Sequence, residues 1–96
     1  MYSDTVLARL SIQRALLGEI SSNLRAVVFS KNDRYIEVRF YFDGMISDED
    51  KESASCVETE IIADYDVDDI IIAKCIRVDM PKPIDDAGHW VYRRRE

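Results

Sequence analysis

The sequence predicts an α+β domain in the order α-β-β-α-β-β, a four-stranded, mainly antiparallel sheet with two helices packed on it. Three observations carry that prediction. Ile36, Val38, Phe40 and Phe42 alternate with Tyr35, Glu37, Arg39 and Tyr41, the period of two that marks a strand with one buried face. Two segments, opening at Ser3-Asp4 and at Ser47, place a capping residue ahead of apolar residues at helical spacing. Breaker residues separate the periodic runs, above all Asp43-Gly44 and Met80-Pro81-Lys82-Pro83. The chain has 96 residues, 47% hydrophobic and 33% charged, which suits one core and no large internal cavity. Residues 1–96 are therefore read as a single domain.

The first helix is expected from Asp4 to Asn23. Val6, Leu10, Leu17, Ile20 and Leu24 fall within one arc, which makes them its expected core face, with Leu7 and Leu16 beside them. Ser21-Ser22-Asn23 ends it. Arg25 to Ser30 reads as a strand around Val27, Val28 and Phe29, and Lys31-Asn32-Asp33 supplies the turn into the strand Arg34 to Asp43. One face of that hairpin is core; the other, with Tyr35 and Tyr41, is expected to be half-exposed. Ser47 caps the second helix, with Asp48, Glu49 and Asp50 at the positive end of its dipole. Ala54, Val57, Ile61 and Tyr65 form its buried stripe. Ile70 to Val78 is apolar without alternation, so it is expected to be a central strand covered on both faces. The prolines after it cannot continue a paired strand. His89 to Arg94 closes the sheet, with Trp90 and Tyr92 expected on one side.

The charge is uneven. The whole chain carries −6, but Asp43 to Asp69 holds eleven acidic residues and one basic residue, Lys51. The segments on either side are each +2. Like charges at i,i+4 spacing repel, and a basic partner would relieve that repulsion and be drawn in by the field. The same balance argues against nucleic acid as a partner, because phosphate binding needs clustered Lys and Arg. Arg93-Arg94-Arg95 beside Trp90 and Tyr92 is too small an exception to reverse it.

Most chemistry is excluded by the residues themselves. Asp64-x-Asp66-x-Asp68 opens like a calcium loop but has Asp69 where glycine is required and Cys75 where the bidentate Glu belongs. Cys56, Cys75 and His89 have no metal-ligand spacing, so no metal site or cofactor is expected. Three glycines leave no phosphate loop. No enzymatic activity is expected. No apolar run approaches the ~20 residues of a membrane span, and the first residues lack a basic region followed by an apolar one. Reduced thiols and a cytoplasmic location are the expectation.

The blocks Arg34-Tyr-Ile-Glu-Val-Arg-Phe-Tyr-Phe-Asp-Gly44, Ile46-Ser-Asp-Glu-Asp50, Glu58-Thr-Glu-Ile-Ile-Ala-Asp64 and Trp90-Val-Tyr-Arg-Arg-Arg95 resemble small immunity proteins. Such proteins are encoded beside contact-dependent growth-inhibition and related polymorphic bacterial toxins. The resemblance implies a stoichiometric, non-enzymatic antitoxin that binds a cognate toxin domain, expected to be a nuclease with a basic surface. The toxin-binding residues expected from charge are Asp48, Glu49, Glu52, Glu60, Asp64, Asp66, Asp68 and Asp69. Tyr35 and Tyr41 are expected aromatic anchors, and Tyr65 is either an anchor or core. A monomer or weak dimer is expected. The alternative reading is an assembly module that homodimerises through a sheet edge.

Overall fold

The computed structural model describes residues 3–96. Its elements are α1 (Asp4–Ala15), β1 (Leu24–Asn32), β2 (Tyr35–Phe42), α2 (Asp48–Ile62), β3 (Ile70–Arg77) and β4 (His89–Arg93). The order is the one the sequence predicts. The four strands lie as β3-β2-β1-β4. β1 runs antiparallel to β2 and β4, and β2 runs parallel to β3. The sheet is thus mixed, because the α2 crossover returns the chain to the same end before β3 begins. The β1–β2 hairpin closes through Asp33-Arg34, with Asp33 at φ 54°, a conformation that Asp tolerates better than most residues.

Both helices pack on one face of the sheet. Val27, Phe29, Ile36, Val38 and Phe40 meet Ala8, Ile12 and Ala15 of α1 and Ala54, Val57 and Ile61 of α2. The α2 stripe is the predicted one, continued by Tyr65 after the helix ends.

α1 differs from its expectation in length and in face. It stops at Ala15, and Gly18 takes φ +81°, the left-handed conformation that ends a helix and that glycine adopts without steric cost. Its buried arc is Ala8, Ser11, Ile12 and Ala15. Small side chains on either side of Ile12 let the helix lie close to the sheet and to α2; Leu16, just past the helix end, is also buried, and the other large aliphatics point away. Val6, Leu7, Leu10, Leu17 and Ile20 are all exposed; of the expected core arc only Leu24 is buried, as the first residue of β1.

β3 is an edge strand rather than a central one. Its apolar run has a different cause. Ala73 and Cys75 pack toward the helix-side core, while Ile76 packs on the opposite face with Ala26, Val28 and Tyr41. That opposite face is not open, because the loop from Val78 to Gly88 folds over it and adds Val78 and Ile84 to the cluster. Tyr41 is consequently 8% exposed rather than half-exposed. Trp90 and Tyr92 also part company: a bulge in β4 opposite Val27 and Val28 sends Trp90 to the loop side and Tyr92 to the helix side.

Gly88 is required where the loop returns to the sheet. A Cβ there would lie 2.8 Å from the Phe29 carbonyl oxygen and 2.9 Å from a Val28 methyl.

Each outer strand has a side chain on its main chain. Ile70 and Val78 donate their N–H groups to β2-side carbonyls, so Ala73, of opposite parity, faces the open edge; its N–H donates to Glu58 Oε2 at 2.7 Å. On β4, Arg9 donates to the Trp90 carbonyl at 2.6 Å. Such contacts blunt edge-to-edge pairing. Glu58→Ala is expected to lower stability by about 1–2 kcal/mol and to raise concentration-dependent self-association, measured by light scattering after size exclusion. Unchanged behaviour of this variant would show that Glu58 does not guard the edge.

Candidate functional site

α2 forms because its first turn is fully capped. Ser47 Oγ accepts from the Asp50 N–H at 3.1 Å, and the Asp50 carboxylate accepts from the Ser47 N–H at 3.0 Å, a reciprocal capping box. Asp50 is buried, and Asn23 Nδ2 donates to it at 2.9 Å, which ties the start of α2 to the segment before β1. Burial pushes the Asp50 pKa up, but the hydrogen bonds from Asn23 and Ser47 outweigh it and hold the carboxyl below its usual range.

With Ala54, Val57 and Ile61 buried, helical geometry places Asp48, Glu49, Glu52 and Glu60 within one outward arc of about 120°. Cys56 is a free, exposed thiol within the same arc. Asp66 and Asp68 extend the charge into the α2–β3 loop, on either side of Val67, which is 97% exposed.

The eight acidic residues singled out by charge divide into two groups. Asp64 accepts from Ser11 Oγ at 2.6 Å and pairs with Arg14, so α1 neutralises it. The Ser11 hydrogen bond and then Arg14 hold its carboxyl below the usual range, against the opposing effect of burial. Asp69 lies 3.5 Å from Arg34 Nη1 and accepts from the Asp66 N–H. Among the described residues, the carboxylates of Asp48, Glu49, Glu52, Glu60, Asp66 and Asp68 have no ion pair and accept no hydrogen bond.

The two tyrosine anchors are not brought to this ridge. Tyr35 and Tyr41 share the sheet face away from α2. Tyr41 donates to Asp86 at 2.6 Å beneath the β3–β4 loop, and the half-buried Tyr35 donates to Glu37 at 3.4 Å. Tyr65 is half-buried against the core, and its hydroxyl is enclosed with no hydrogen-bond partner among the described residues. The large exposed side chains around the ridge are apolar instead. Met45 is exposed just before α2, Ile62 near its end, and Val67 and Ile70 around the acidic loop. The Val67 signal lay in the sequence as a lone aliphatic residue between two aspartates in a turn.

The remaining chemistry-bearing residues are dispersed. Cys75 is half-buried on β3, its thiol pKa raised first by burial, and His89 is exposed at the start of β4. No group of three or more His, Cys, Asp or Glu side chains converges among the described residues. None of the described helices is long and apolar enough to cross a membrane.

Comparison with known proteins adds one finding. A family model described as the MafI2 immunity protein matches residues 6–96, nearly the whole chain. No curated protein matches.

Proposed function

Because this chain belongs to the MafI2 immunity protein family, a family whose function is toxin neutralisation, we propose that it acts by stoichiometric binding without catalysis. Its partner is a cognate toxin domain, met in the cytoplasm. The toxin presents a basic surface, as a nuclease does where it holds phosphate, and the outward arc of α2 covers it. One observation carries this reading: six carboxylates along α2 and its following loop have no basic partner among the described residues. Fields of one sign over a whole helix face accelerate encounter with an opposite surface. Affinity then requires desolvated anchors beside the charge, and Met45, Ile62 and Val67 stand along the ridge.

The test is charge reversal. The triple variant Asp48→Lys, Glu49→Lys, Glu52→Lys is expected to slow association with the toxin domain by about 10–100-fold at low salt. The wild-type association rate is expected to fall with added salt, and the variant's rate to lose that dependence. Stopped-flow or surface-based kinetics against an inactivated toxin domain measures both. Association indifferent to salt and to the triple variant would remove the acidic face from the mechanism.

A further inference from the structure

We infer that the outward face of α1 is a second contact for the same toxin domain, its leucines setting how long the complex lasts while α2 sets how fast it forms. The inference rests on the immunity reading above. α1 carries two apolar arcs on opposite sides. The arc of small residues is buried against the sheet and α2. On the far side, Leu7 and Leu10 are about half exposed, at 48% and 47%, and line one groove with Tyr65; Leu17 lies past the end of the helix, in a separate groove beside Val91 and Tyr92. Single exposed leucines need no explanation, but two that line one groove together with a half-buried tyrosine mark a contact surface. A helix that is apolar on both sides is built to be covered on both.

The charge around these leucines selects the occupant. Two adjoining grooves share Leu7 and Tyr65; one runs to Leu10 and Asp64, the other to Asp4 and Asp66. The apolar floor therefore passes into the acidic loop that ends the α2 ridge, so a body resting on Asp66 lies beside Leu7. Basic side chains in these grooves are already engaged. Arg14 pairs with Asp64, Arg34 with Asp69, and Lys31 donates to the Asp33 carbonyl. Asp4 and Asp66 carry no ion pair among the described residues. The fitting partner is a basic surface with an aliphatic or aromatic side chain beside a Lys or Arg, whose long stem can lie along the leucines. A second copy of this chain fits poorly. Asp4 and Asp66 flank the leucines, so pairing this face with its own copy brings carboxylates together, between molecules each carrying −6.

The experiment uses the full chain and the inactivated toxin domain encoded beside it. Leu7→Gln/Leu10→Gln is expected to weaken Kd by at least about 30-fold through faster dissociation, the loss typical of central interface anchors. Its association rate and salt dependence are expected to match wild type. Leu10→Gln alone, a single change at a half-exposed site, is expected to weaken Kd by about 10-fold. Two folded variants with wild-type Kd would overturn the inference, and so would wild-type Kd in Leu10→Gln alone if the double variant fails to fold. A wild-type dimer that Leu10→Gln dissociates without changing toxin affinity would assign the face to a second copy and also overturn it. Failure of the wild-type protein to bind the toxin domain is a separate result and sinks the immunity reading itself.

Discussion

Asp86→Ala is expected to destabilise the fold by about 2–4 kcal/mol, the cost of removing the bidentate partner of the largely buried Arg39 and leaving it Glu37 alone as an ion-pair partner, at 3.1 Å. Asp86 and Arg39 have side chains only 7% and 14% exposed, and the pair is bidentate, with Nε and Nη2 of Arg39 donating at 2.7 and 3.0 Å. Tyr41 and the Gly88 N–H donate to the same carboxylate, at 2.6 and 2.8 Å. Against a total stability of about 5–15 kcal/mol for a typical domain, the loss should be plain in urea denaturation. The pH dependence has a definite sign. Arg39 first, then Tyr41, hold the Asp86 pKa down to about 2, below the ~3.9 of an unfolded chain. The stabilisation is therefore present above about pH 4 and lost as pH falls toward about 2. Glu96, held to about 2 chiefly by Arg25, titrates in the same direction. Melting temperature should fall across this window in the wild-type protein and less steeply in Asp86→Asn. A melting temperature that stays flat from pH 5 to about 2 would contradict this assignment.

Arg25→Ala is expected to cost a similar amount, about 3 kcal/mol or more, for a related reason. Arg25 is 4% exposed and makes four hydrogen bonds. Two run to the Glu96 carboxylate at 2.7 and 2.9 Å, and two from Nη1 to the carbonyls of Val78 and Lys82 at 2.6 and 2.9 Å. The planar fork spans carboxylate and loop at once, so Arg25→Lys should recover little. Arg25 and Arg39 together bolt the β3–β4 loop to the sheet at two points. Trp90, the sole tryptophan, lies beneath that loop with Val78 and Ile84. Its emission should shift to the red in Arg25→Ala before global unfolding. Coincident fluorescence and circular-dichroism transitions would instead mean that the loop does not loosen separately.

The sequence is most readable where one side chain decides one local outcome. The Ser47 cap, the α2 stripe and the alternation of β2 all rest on neighbours within a few residues, and all appear where expected. α1 misleads because close packing selects small residues. Ala8, Ser11 and Ala15 carry a weak hydrophobic signal, while the leucines that dominate the pattern face outward. β3 misleads because a helix on one face and a loop on the other make an edge strand as apolar as a central one. No periodicity announces that loop, since its order comes from arginines on β1 and β2. The acidic ridge follows the same division. Its arc on α2 is local and legible. That Asp64 is neutralised by Arg14, fifty positions away in sequence, is a tertiary fact. So is the burial of Tyr41, which depends on Asp86.

The free thiol of Cys56 has a practical use. It stands among the unpaired carboxylates of α2, whereas Cys75 is half-buried and its ionisation is suppressed. A thiol-reactive dye would therefore mark this helix selectively in the unmutated chain. Quenching or polarisation of that dye would time a visitor's arrival at the ridge, while the indole under the loop, on the other side of the sheet, gives an independent record of the scaffold beneath.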